Sequence, residues 1–280
     1  MPPRLAVCSW SLEPTDPASL VERLRACGRD AVQLALDPLC PETPATSAWS
    51  PDETFSALAE AGVQVVSGMQ MMRGEDYTSL ASIRATGGVL PDAHWPANEA
   101  AAQRIARLCE RHGIPLVTFH AGFLPHEPGP QTDVVLARLR RLADVYAAAG
   151  VRIALETGQE RAETLEAFLA ALDRPEVGVN FDPANMLLYG MGDPVDALTR
   201  LLPFVAQVHI KDARAAAAVG EWGTEVVVGA GDVDWSAFLS VLERAPRPLD
   251  LVIEREAGTS RVADVRRAAE HLRSLGWAPA

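Results

Sequence analysis

Short apolar, β-branched runs recur along this chain, and each is followed by a longer stretch of helical character. Eight such runs can be read, at 5–10, 31–36, 63–69, 116–122, 152–157, 177–182, 205–211 and 249–254. Their near-continuous hydrophobicity is that of parallel strands covered on both faces. The segments between them carry helix signals. Asp16-Pro17 and Asp193-Pro194 each set an N-cap acceptor before a proline at the first helical position. Ser50-Pro51-Asp52-Glu53 reads as a capping box, and Asp234 and Ser260 open two later helices. Gly28, Gly62, Gly113, Gly150 and Gly276 follow helical runs, where a left-handed residue is wanted. Eight strand–helix units predict an α/β fold, a single (β/α)8 barrel over residues 1–280. The rival, an open doubly wound sheet, ordinarily carries a glycine-rich turn after its first strand, and CSWSLEP has none. Two long connections, 70–96 and 213–233, are expected over the mouth of the barrel.

Composition narrows the function. A net charge of −12 argues against a nucleic-acid partner, because phosphate backbones are held by clustered Lys and Arg. No stretch reaches the roughly 18 apolar residues of a membrane span. The N-terminal MPPRLAVCSWSLEP has too short an apolar run for a secretory segment, so a cytoplasmic location is expected. Cys8, Cys27, Cys40 and Cys109 form no C-x-x-C pair, which leaves metal-finger and redox motifs unsupported. Cys8 and Cys109 lie in apolar segments and read as small core residues.

Four of the runs end on a side chain that can hold a metal: Glu156, Asp182, His209 and Glu254. Their intervals are 26, 27 and 45 residues, that is one βα unit, one βα unit, and one unit plus a long loop. In a barrel they end four neighbouring strands and point into one crevice on the active-site face. Alone, any of these acids is more often a salt bridge or a cap, and a strand histidine more often a core residue. Three carboxylates together repel unless a cation compensates. Two Glu, one Asp and one His suit Mn²⁺ first, then Mg²⁺ or Co²⁺, with Zn²⁺ or Fe²⁺ as further options.

These residues and the motifs ALETG, NFDPAN, VHIKDAR, VGAGDVDW and LVIERE resemble the xylose-isomerase-like barrels over essentially the whole chain. That superfamily includes sugar isomerases, tagatose/psicose-type 3-epimerases, inosose dehydratases and endonuclease-IV-type nucleases. The resemblance implies one divalent ion on Glu156, Asp182, His209 and Glu254. It also implies that Glu156 and Glu254 exchange the proton beside a sugar or polyol carbonyl through a metal-stabilised enediolate. The same first step serves elimination, as in inosose dehydratases, or cleavage of a modified glycoside. A repair nuclease needs more His ligands and a basic groove, and a non-catalytic binding barrel is the remaining alternative. A homodimer is common among similar proteins. Two departures stand out: Asn185 occupies a place where many such epimerases carry His, and a second acid after Glu156 is matched only loosely by Glu160.

Further residues are expected around the substrate. Lys211 and Arg214 can orient a hydroxyl, carboxylate or phosphate, or Lys211 can neutralise a local acid. His120 and Asn185 are candidates for substrate contact, and Trp10 for an apolar wall. The run Gly229-Ala230-Gly231-Asp232 resembles a phosphate-binding loop, but Asp232 and Asp234 beside it oppose phosphate, which favours an unphosphorylated carbohydrate.

Overall fold

The computed structural model describes residues 3–41, 49–218 and 221–277. Eight parallel strands close into a barrel: β1 Leu5–Cys8, β2 Ala31–Ala35, β3 Gln64–Met69, β4 Leu116–Phe119, β5 Arg152–Glu156, β6 Val177–Phe181, β7 Val205–Ile210 and β10 Asp250–Ile253. Closure is made by β1 against β10, with Leu5 opposite Leu251 and Val7 opposite Ile253. The remaining strands, β8 Asp212–Arg214 and β9 Thr224–Val226, form an antiparallel hairpin inside the connection that follows β7. Around the barrel run α1 Pro17–Cys27, α2 Pro51–Glu60, α4 Trp95–His112, α5 Pro130–Ala147, α6 Ala162–Leu172, α8 Pro194–Leu201, α9 Trp235–Leu242 and α10 Arg261–Ser274. Two shorter helices sit near the mouth, α3 Leu80–Thr86 and α7 Pro183–Leu188. No helix among the described residues is long and apolar enough to cross a membrane.

The local signals act as their chemistry requires. Asp16 accepts from the Ser19 amide, Asp193 from Val195 and Asp196, and Asp234 from Ala237, so each satisfies an amide that the helix leaves open. Ser260 precedes α10 but makes no side-chain cap. The five glycines expected after helices all have positive φ. The first expected strand, 5–10, ends early. β1 stops at Cys8 because the Ser9 hydroxyl, rather than a strand partner, takes the Ala35 amide, and the chain turns into a 3-10 helix at Ser9–Leu12.

Side-chain alternation divides the interior into two layers. Leu5, Val7, Val179, Phe181, Val208 and Ile210 face the helices and join one continuous buried core. Ala6, Cys8, Ala31, Val66 and Val252 form a second, small cluster. Residues of matching parity continue it toward the mouth, and there the interior turns polar: Gln33, Ser67, Thr118, Asn180 and Gln207 are at most 1% exposed.

The connection at 70–96 is not a bare loop, for α3 lies within it. Its end packs on the turn after β4, where the Val89 amide donates to the Ala121 carbonyl at 3.0 Å. Gly88 makes this approach at φ +71, and a Cβ there would come within 1.9 Å of the Ala121 oxygen. Gly88→Ala is therefore expected to cost about 2 kcal/mol through left-handed strain and backbone displacement. Thermal unfolding should show a midpoint several degrees below the parent, and an unchanged midpoint contradicts this packing.

Candidate metal centre

The ends of β5, β6, β7 and β10 are adjacent in the barrel, and their register brings the four expected residues together. Glu156 and Glu254 are 4% and 3% exposed, and Asp182 and His209 are fully buried. One ligand atom from each of the four lies within 4.8 Å of the others. His209 Nδ1 stands 3.5 Å from Glu156 Oε1, 3.6 Å from Asp182 Oδ2 and 3.4 Å from Glu254 Oε2.

The other side of each group is held. His209 Nε2 is 2.8 Å from Gln33 Oε1, an acceptor that holds a proton on Nε2 and turns Nδ1 toward the carboxylates. Asp182 Oδ1 accepts the Asn185 amide at 3.0 Å and caps α7. Glu156 accepts from Asn185 Nδ2 at 3.0 Å and Asn180 Nδ2 at 3.2 Å. Glu254 accepts the Trp10 indole N–H at 2.8 Å and the Lys211 ammonium at 2.9 Å.

What remains is diagnostic. Asp182 Oδ2 and His209 Nδ1 are buried and have no hydrogen-bond partner. Leaving one such atom unsatisfied costs about 1–3 kcal/mol. Two of them beside two further carboxylate oxygens fit a divalent cation, and the donor set of three carboxylates and one imidazole suits a hard to borderline ion.

The polar interior beneath supports this arrangement. Gln33 Nε2 donates to Thr118 Oγ1 at 2.8 Å, Ser67 Oγ to Gln207 Oε1 at 2.5 Å, and Gln207 Nε2 to Asn180 Oδ1 at 3.1 Å. Asn180 and Gln207 stand two residues before Asp182 and His209. A period of two therefore puts them one layer below the four candidate ligands. Sequence reading missed them, although polar residues inside otherwise apolar strands were the signal.

Electrostatics are those of an anionic hole. Burial opposes the charge on His209, but Glu156 and Glu254 outweigh it and raise its pKa well above the ordinary value. Burial likewise opposes Glu254, yet Lys211 and His209 hold its carboxyl well below the usual range. Asp182 is pushed up, chiefly by burial. Lys211 is only 3% exposed, and its ammonium is met by Glu254, by Glu256 Oε2 at 2.5 Å and by Asn185 Oδ1 at 3.5 Å.

Above the four residues opens a cavity of about 400 Å³, lined among others by His120, Asn185, Tyr189, Lys211, Trp222 and Glu75. Three of the expected substrate contacts, His120, Asn185 and Lys211, therefore face it. Trp10 lies outside this lining and acts on Glu254 instead. Arg214 is exposed, its Nε donates to the Ala230 carbonyl at 3.3 Å, and it too lies outside the lining. Glu160 is buried without a partner, and burial alone raises its pKa to about 8.

The loop at 229–232 is occupied from within. Asp212, fully buried, accepts from the Gly229 amide at 2.8 Å, the Gly231 amide at 3.1 Å and the Trp235 indole at 3.0 Å. The amides that cradle phosphate in comparable loops already hold a carboxylate. Asp232 accepts the Ala215 amide at 2.9 Å, and Asp234 caps α9.

Two outcomes follow from the geometry of His209. In the metal-free chain its raised pKa means that a cation must displace a proton from the imidazole. Affinity for Mn²⁺ should accordingly rise with pH and each ion should release a proton, which calorimetry in buffers of differing ionisation enthalpy reads directly. Affinity that is flat with pH contradicts the arrangement. Gln33→Leu, which removes the acceptor for Nε2–H, should weaken Mn²⁺ binding about 10- to 100-fold while leaving the four ligands in place.

Residues 21–275 match the model of the xylose isomerase-like TIM barrel family. No curated protein sequence is matched significantly. Among solved structures, a xylose isomerase domain protein from Planctomyces limnophilus is 30% identical over 98% of this chain and 96% of its own, with a TM-score of 0.84. A xylose isomerase-like TIM barrel protein from Mycobacterium smegmatis in complex with magnesium is 17% identical, with coverages of 98% and 96% and a TM-score of 0.73. An L-ribulose 3-epimerase is 17% identical, with coverages of 98% and 94% and a TM-score of 0.72. The shared fold of the last two and the extended match to the family model agree, and this chain belongs to the xylose isomerase-like TIM barrel family.

Proposed function

We propose that the protein is a divalent-metal-dependent isomerase or epimerase. Its substrate is a small sugar, sugar derivative or polyol ketone, and it moves a proton next to the carbonyl through an enediolate. The observation that carries this reading is a pair of buried carboxylates, Glu156 and Glu254, that face the same point from different strands, 3.5 and 3.4 Å from His209 Nδ1. The L-ribulose 3-epimerase likeness supports it.

The residues divide the labour as follows. Glu156, Asp182, His209 and Glu254 hold the ion, with Mn²⁺ the best match to the donor set. The bound cation supplies Lewis-acid stabilisation of charge that develops on the substrate oxygens. One glutamate, ionised, removes the proton, and the other, protonated, returns one, so that the two exchange protonation states in a turnover. Burial works against Glu156, but His120 and His209 bring its carboxyl below the ordinary value. Lys211 does the same for Glu254. Asn185 fixes Glu156 and presents its amide at the cavity wall.

Elimination is the second reading, and one feature favours it. The Lys211 ammonium sits 2.9 Å from Glu254 Oε2, so that a base and a proton donor for a departing hydroxyl lie side by side.

Mn²⁺-loaded protein incubated with a ketose panel in D₂O should incorporate deuterium at the carbon beside the carbonyl, seen by NMR. A labelled isomer or epimer is the expected product, while loss of water identifies the elimination. Glu156→Gln and Glu254→Gln should each lower formation of the isomer or epimer at least about 100-fold at saturating Mn²⁺. Product formation that survives either change at full metal occupancy removes the paired-carboxylate mechanism.

A further inference from the structure

The cavity over the four ligands has an unusual charge balance. Glu75, Glu225, Glu254 and Glu256 line it, against Lys211 as the one lysine or arginine in the lining. Lys211 is already shared between Glu254 and Glu256. Glu225 is taken by Arg255 at 2.6 Å, and that guanidinium also meets Asp264 at 3.1 Å. Arg214 turns to a backbone carbonyl, and the amides of the loop at 229–232 are filled by Asp212. Lys211, Arg214 and the loop amides therefore each have an internal partner already, and of the possible anion donors His120 Nδ1 is left open.

Glu75 is the opposite case. It accepts from the Gly88 amide at 3.1 Å and the Tyr77 hydroxyl at 3.2 Å, and no Lys or Arg of the described residues pairs with it. Burial raises its carboxyl above the ordinary value, an effect that His120 and the two hydrogen bonds offset only in part. Aromatic rings complete the wall. Tyr189 and Trp222 pack with centroids 4.8 Å apart, and Tyr77 stands edge-on to His120 at 6.5 Å. His120, nine-tenths buried on the same wall, has an unpartnered Nδ1. An unpaired carboxylate beside electron-rich ring faces is a setting for a cation. A charge-assisted bond to an ammonium is about twice as strong as a neutral hydroxyl bond.

We propose that this cavity selects a ketose or cyclitol ketone bearing a protonated amine, met by Glu75 among the aromatic rings, and rejects phosphorylated and carboxylated sugars. This rests on the proton-transfer reading above and names the substrate class for that site.

The test uses Mn²⁺-loaded full-length protein and deuterium exchange by NMR with five probes: 1-amino-1-deoxy-D-fructose, 6-amino-6-deoxy-D-fructose, D-fructose, D-fructose 6-phosphate and 5-keto-D-gluconate. At least one amino ketose should exceed D-fructose at least tenfold in kcat/KM, and the two anionic probes should fall at or below D-fructose. Glu75→Gln should bring the amino-to-neutral ratio toward one, and Glu75→Asp should retain most of it. The inference is overturned if neither amino ketose exceeds D-fructose, or if either anionic probe exceeds it. A ratio untouched by Glu75→Gln overturns the assignment of Glu75. Absence of exchange with all five probes refutes the proton-transfer reading itself, and this inference with it.

Discussion

Mutual repulsion among three buried carboxylates is the constraint around which this end of the barrel is organised. Glu156, Asp182 and Glu254 converge on His209 Nδ1 in a space from which water is largely excluded. Such a cluster is tolerable only with positive charge at its centre. Lys211 supplies part of that charge from one side, and a proton on His209 supplies more when no cation is bound. Two atoms, Asp182 Oδ2 and His209 Nδ1, still lack a partner. The unsatisfied pair and the excess of negative charge coincide at a place where one divalent ion would relieve both.

Holding such a cluster requires a stiff frame, and the barrel provides it in an unusual way. Interiors of this fold are commonly filled by branched apolar side chains. Here the layer under the four clustered residues is amide and hydroxyl: Gln33, Ser67, Thr118, Asn180 and Gln207 bond to one another and upward to His209 and Glu156. Small residues such as Ala6 and Ala31 lie in the inner cluster. A fully bonded polar layer fixes the rotamers of the ligands more narrowly than apolar packing does, because amide geometry is directional.

The loops carry the same logic outward. The hairpin β8–β9 and the turn at 229–232 are tied to each other by one carboxylate, Asp212 of β8, which accepts from the backbone amides of Gly229, Gly231 and Val233 and from the Trp235 indole. Glu75 is brought over the mouth by the contact of Gly88 with the turn after β4. The acids near the cavity thus have different fates: Asp212 is consumed by structure, Glu225 and Glu256 are paired with cations, and Glu75 is left open.

Much of this was legible in the chain itself. The eight apolar runs, the proline-led helix starts and the glycine stops specify strand–helix alternation, because each signal is local and acts through backbone conformation. Strand ends at Glu156, Asp182, His209 and Glu254 also announce a shared site, since closure of a parallel barrel places successive C-terminal ends side by side. Tertiary structure alone decided which neighbours those residues meet. Trp10 acts on Glu254 and not on the cavity, Arg214 turns away, Asp212 fills the phosphate-like loop, and Glu75 and Trp222 arrive from the two long connections. Those outcomes depend on contacts between residues far apart in sequence, and no periodicity or spacing encodes the direction in which a side chain at a loop finally points.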